Sequence, residues 1–123
     1  MKQKIMKRKI TLPQLKKYDI TQKVLEALID TESRSIIFSI VHRSKTASNL
    51  STSLKIPLSS VYKKLSDLEN LTLIKVEKTV LAENGRRFKF YRSRISKAEI
   101  SIKKPDPKLS LSANWFLWKA YFQ

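Results

Sequence analysis

The sequence predicts a mainly α-helical domain that closes on a small β-hairpin, with a basic N-terminal arm and an apolar C-terminal helix. Three observations predict it. Between Thr21 and Glu69 apolar residues recur at helical spacing in four successive blocks. From Leu73 onward the period shortens to two and β-branched residues accumulate. The only glycine then falls in an Asn84-Gly85 pair, a strong short-range hairpin signal.

The elements follow in order. Lys2, Lys4, Lys7, Arg8, Lys9, Lys16 and Lys17 make residues 1–17 basic, without an acid, and Pro13 interrupts any continuous helix there. This stretch reads as a basic arm over residues 1–19, or as a solvated tail. Thr21 is the expected N-cap of a first helix carrying Val24, Leu25, Leu28 and Ile29. Asp30-Thr31-Glu32-Ser33 is a second start signal, with acids where a helix N-terminus favours them. Ile36, Ile37, Ile40 and Val41 follow, and His42-Arg43 is expected in the last turn.

Thr46 opens a third helix, with Ala47, Leu50 and Leu54 on its apolar side. Pro57 cannot continue it and precedes a fourth, residues 58–69. Leu58, Val61, Leu65 and Leu68 form the apolar stripe of that fourth helix. Ser59, Ser60, Lys63, Ser66 and Asp67 then lie opposite, with Tyr62 and Lys64 on the flanks. Residues 73–81 read as a strand, 83–86 as the turn and 87–94 as the returning strand. Pro105 and Pro107 bound a linker. Leu111, Trp115, Trp118 and Phe122 form one stripe of an expected C-terminal helix that is apolar nearly all round. The division is thus an arm over 1–19, a domain over 20–103, and a linker with a dimerising helix over 104–123.

Composition narrows the function. The 123 residues carry 26 Lys plus Arg against 10 Asp plus Glu, a formal charge of +16, so a polyanion is the expected partner. The apolar share of 41% supports a packed core. No Cys and one His leave no thiolate or metal chemistry, and one Gly leaves no phosphate-cradling loop. No apolar run reaches a membrane span or a signal peptide, so a cytoplasmic address is expected. The acids are scattered; Asp67 and Glu69 are two apart and face differently on a helix. No enzyme, no metal and no cofactor are expected.

Helices followed by a hairpin, the last two helices joined by a tight turn, is the layout of a winged helix-turn-helix. The residues carry the resemblance too. Thr46-Ala47-x-x-Leu50-x-x-x-Leu54-x-Ile56 leads into Ser59-x-Val61-x-x-x-Leu65-x-x-Leu68-Glu69-x-Leu71-x-Leu73-Ile74. Together they resemble the DNA-reading core of the ArsR-like (arsenical-resistance-repressor-like) transcriptional regulators. The related MarR-like regulators share much of the pattern. Asp30-x-x-x-Arg34-x-x-Ile37 resembles the preceding helix start, and the likeness covers residues 24–94. Members often have Gly where this chain has Lys55 and Thr72, so a turn shifted by a residue is expected at each. Metal sensing in that family uses Cys or His ligands and does not carry over.

The residues support a duplex-DNA reader independently. An exposed helix face fits the major groove, and Ser59, Ser60, Tyr62, Lys63 and Lys64 are its expected contacts. Arg86, Arg87 and Lys89 on the wing, residues 82–89, are expected at the minor groove or phosphates. Thr46 and Ser48 open a helix whose first N–H groups suit phosphate. The expected function is a sequence-specific, homodimeric transcriptional regulator, paired through Leu111, Trp115, Trp118 and Phe122. Two alternatives stand beside it: a non-specific chromosome-coating or RNA-binding protein, and a protein-interaction module of the transcription machinery.

Overall fold

The computed structural model describes residues 12–103, 105 and 107–117, with side chains from residue 20 onward. Four helices are followed by two antiparallel hairpins: α1 Leu12–Ile29, α2 Thr31–Ser39, α3 Ala47–Leu54, α4 Leu58–Asn70, β1 Ile74–Leu81, β2 Arg87–Ser93, β3 Ile95–Ser101 and β4 Lys108–Ala113. No described helix is long and apolar enough to cross a membrane. Lys2, Lys4, Lys7, Arg8 and Lys9 lie outside the described residues.

The first helix is longer than its apolar pattern implies. Thr21 lies inside α1 rather than capping it, and α1 runs through the boundary expected at residue 19. Pro13 falls in the first described turn, where a missing N–H costs no intrahelical bond. Asp30 caps α2 as expected: its Oδ2 accepts from the Ser33 N–H at 3.0 Å and the Ser33 hydroxyl at 2.7 Å. Arg34 reaches back to donate to the Leu28 carbonyl at 2.8 Å, satisfying an orphan acceptor at the end of α1. Helix α2 ends at Ser39, so His42 and Arg43 lie beyond it rather than in its last turn.

Ile36 and Ile37 of α2 and its C-cap residue Ile40 are fully buried. They pack with Val24 and Leu28 of α1, Leu50 of α3, and Val61, Leu65 and Leu68 of α4. Burial of each such side chain is worth about 1.5–3 kcal/mol, so this cluster holds the helices together. Leu58 departs from the expected stripe: it is 41% exposed, because it opens α4 one turn short of the core.

Both non-glycine turn positions keep the left-handed backbone. Lys55 has φ 57° and ψ 44°, and Thr72 has φ 61°. No residue is inserted to avoid it, contrary to the expected shift. After Thr72 the Leu73 N–H reaches the Leu68 carbonyl at 3.0 Å, while the Thr72 N–H reaches Glu69 at 2.9 Å. This pair of bonds is a Schellman ending, with Leu68 and Leu73 both buried beneath it.

Strand β1 pairs β2 from Ile74↔Ser93 to Leu81↔Arg87, with a bulge around Glu77. The turn closes as expected around Gly85, φ 85°, and Ala82 N–H donates to the Arg86 carbonyl at 2.8 Å. Lys45 pairs with Tyr91 on the far edge of β2, tying the segment before α3 to the hairpin.

The first part of the expected C-terminal helix is a strand. Leu109 and Leu111 lie in β4, which pairs with β3 from Ile95↔Ala113 to Ser101↔Lys108. Alternation explains the misreading, since Leu109 and Leu111 are spaced equally well for a strand. Trp115–Leu117 are helical, as expected there, and Trp118 and Phe122 lie outside the described residues. Strand pairing also crosses the boundary expected at residue 103.

Candidate nucleic-acid interface

Helix α4 is amphipathic in the literal sense. Val61, Leu65 and Leu68 are buried, while Ser59, Tyr62, Lys63, Ser66 and Asp67 are exposed. Ser59, Tyr62, Lys63 and Ser66 follow an i, i+3, i+4, i+7 order, which aligns them on one ridge. Ser60, expected on this ridge, is half-buried at its edge. Ser66 belongs to the ridge as fully as Ser59 and was not among the expected contacts, because its short side chain gives no distinct sequence signal.

Lys64 is placed differently from its neighbour. Its ammonium lies 2.8 Å from Asp30 Oδ2 and 3.7 Å from Glu32 Oε1, joining α4 to the N-terminus of α2. The Lys64 bond and the Ser33 donors lower the Asp30 carboxyl to about 2, and the same bond raises Lys64. This cation is spent on an internal ion pair and is removed from the expected DNA contacts.

Thr46 is also internally engaged. Its hydroxyl accepts from the Asn49 N–H at 3.1 Å and donates to Asn49 Oδ1 at 2.8 Å. The reciprocal bond from the Thr46 N–H completes a capping box. Thr46 therefore fixes the start of α3 rather than offering a free hydroxyl. Ser48, one turn position later, is exposed. Beside it a shallow depression is lined by Arg43, Ser44, Lys45, Asn49, Thr52 and Ser53. Arg43 and Lys45 were missed among the expected contacts; their position directly before the α3 cap is the signal that points to them.

The hairpin has two chemically different faces. Cross-strand pairing puts Thr79 with Lys89 and Leu81 with Arg87 on the side that carries Tyr91. Burial pushes the Tyr91 phenol up, and the Glu69 carboxylate and Tyr62 phenol of α4 push it further. Tyr91 shares the buried cluster with Val61, Leu65 and Leu68 of α4, and Lys89 and Arg87 extend its side of the hairpin outward. The opposite side pairs Val80 with Phe88 and Lys78 with Phe90. There Lys78 Nζ sits 4.8 Å from the Phe90 ring centroid and the Arg86 guanidinium 5.8 Å from that of Phe88.

Of the expected dimerisation residues only Leu111 and Trp115 are described, the first in a strand and the second in a helical turn. Leu111 is 40% exposed in β4 and Trp115 is 55% exposed beyond it. Phe116 stacks edge-on against both Trp115, at 5.8 Å, and His42, at 4.4 Å. Among the described residues no group of His, Cys, Asp or Glu is arranged to hold a metal ion. Comparison with known proteins finds no matching family model and no matching curated protein.

Proposed function

We propose that this chain is a sequence-specific transcriptional regulator of the winged helix-turn-helix type that binds double-stranded DNA. In this reading α3 and α4 are the helix-turn-helix pair, α4 enters the major groove, and β1–β2 is the wing. The observation that carries it is the packing of Tyr91, on the cationic side of the hairpin, in one buried cluster with α4. Ser59, Tyr62, Lys63 and Ser66 present donors at base-edge reach, Lys89 and Arg87 follow outward, and Arg86 at the hairpin tip, lying over Phe88 on the other side, completes the phosphate or minor-groove contacts. Ser48, Arg43 and Lys45 flank the start of α3 and suit the phosphates beside the groove.

A formal charge of +16 supports the same reading, and equally a less selective one in which the protein coats DNA or RNA. Two copies reading a pseudo-palindromic site belong to the proposal, with exposed Leu111, Trp115 and Phe116 as the apolar surface between them. The test titrates the full chain into its own promoter region and a scrambled duplex of equal length across a salt series. With six to eight cations on phosphate, the log–log slope is expected at roughly −5 to −7. A promoter preference that survives near-physiological salt supports the regulator. Equal affinity for both duplexes, vanishing as salt rises, supports the coating role. Sedimentation equilibrium reads the oligomeric state of the same sample.

A further inference from the structure

The Phe88 and Phe90 face of the β1–β2 hairpin enters that reading only through Arg86 at its tip. It points away from the Tyr91 side. Val80, 42% exposed, stands opposite Phe88, and Lys78 stands opposite Phe90. Both phenylalanines are half-buried, and a cation lies over each ring. Apolar aromatic rings displayed on a solvated sheet face call for an explanation beyond hairpin stability.

We propose that this face is a second binding site, a stacking platform for unpaired bases of a single-stranded nucleic acid. Spacing selects the ligand. Phe88 and Phe90 are two residues apart on one strand, so the backbone positions that carry the rings are set about 6.6 Å apart. Neighbouring bases in a duplex are only about 3.4 Å apart along a strand, so a duplex cannot lay successive bases on both rings. An extended single strand can, as aromatic residues on other nucleic-acid-binding sheets do.

Charge selects the same ligand. From Lys78 to Tyr91 the hairpin carries Lys78, Arg86, Arg87 and Lys89 against one acid, Glu83. Lys78 and Arg86 are both exposed, and an exposed cation–π contact is weaker than a base stacked on an aromatic ring. An arriving base displaces the cation from the ring and leaves it beside the adjoining phosphate. The two cations therefore shield the rings when the site is empty and pair with the backbone when it is filled.

The test uses fluorescence anisotropy with the full chain and a labelled oligothymidylate of about ten nucleotides. A matched oligonucleotide of abasic sites has the same backbone charge and no bases to stack. Binding to oligothymidylate at least about fivefold tighter than to the abasic strand supports the platform. Equal affinity for the two overturns it, as does no binding to either at low salt. Phe88→Leu and Phe90→Leu, checked by thermal melting, are each expected to weaken oligothymidylate binding about fivefold or more while duplex affinity changes less than about twofold. Unchanged oligothymidylate affinity in folded variants overturns the proposal. Lys63→Ala is measured alongside: it tests the duplex face and is expected to leave oligothymidylate binding unchanged, so the two readings fail separately.

Discussion

The Lys64 ammonium of α4 lies 2.8 Å from Oδ2 of Asp30, the residue that caps α2. One oxygen therefore holds a helix start and a contact between helices at once. The Asp30 carboxyl is depressed from 3.8 to about 2 by Lys64 and Ser33. A group depressed on folding stabilises the native state above its unfolded value and loses that contribution as pH falls through its folded value. Stability should therefore decline between about pH 4 and pH 2 in step with this carboxyl. The side chain is 42% exposed, so screening limits the effect to about 1 kcal/mol. Urea unfolding of wild type and Asp30→Asn at pH 5 and at pH 2.5 checks it. The variant should be less stable at the upper pH, and the gap should narrow at the lower one.

Lys63 and Lys64 are adjacent in sequence and opposite in role. Lys63 is exposed on the ridge of α4, whereas Lys64 is held by Asp30 and Glu32. Lys63→Ala should weaken duplex binding by about 1–3 kcal/mol if it donates to a base edge, with the fold unchanged. Lys64→Ala should lower the melting temperature and leave duplex affinity nearly intact at temperatures where it is folded. Paired anisotropy titrations and melts separate the two. Equal losses of affinity would remove the distinction drawn between them.

Thr72 and Lys55 hold left-handed backbone without glycine. A β-branched side chain is the poorer occupant, and residues in this region cost about 1–2 kcal/mol. Thr72→Gly should stabilise the protein by about 1 kcal/mol, after the larger unfolded-state entropy of glycine is offset. Lys55→Gly should gain less, because Lys is unbranched. Lys55→Ala should gain nothing, since it keeps the Cβ, and Thr72→Ala should recover only the part owed to the β-branch. Denaturant midpoints at unchanged slope read the differences directly.

The parts of the fold that were legible in the sequence rest on short-range chemistry. Asp30 and Thr46 announced their helices because a capping side chain acts within three residues. The β1–β2 hairpin was legible because Asn84-Gly85 suits a tight turn. What was missed depends on contacts across the chain. Nothing near Lys64 in sequence signals that Asp30, 34 residues earlier, will claim it. The run from Leu109 to Ala113 satisfies both periods, and the choice of strand is made by its partner, β3. The division of the hairpin into a cationic side and an aromatic side needed the pairing register, which the bulge at Glu77 shifts.

Asn114 terminates that misread segment and carries the last prediction. It is 2% exposed, and its Nδ2 donates at 2.8 Å to the carbonyls of both Val41 and Ser93. The same Val41 carbonyl accepts from Arg92 Nε at 2.9 Å, and Arg92 is paired with Glu77 at 3.1 Å. One amide thus ties the second hairpin to the end of α2 and to the first hairpin. Asn114→Ala removes two buried donor bonds and leaves the Ser93 carbonyl without this partner. The expected cost is about 2–3 kcal/mol, within the range for stripping a buried acceptor. Asn114→Asp should cost at least as much, because a carboxylate cannot donate to either carbonyl. Hydrogen exchange locates the effect: protection should fall first along β3–β4, while the α2–α4 core, built on Ile36, Ile37 and Leu65, keeps its protection until global unfolding.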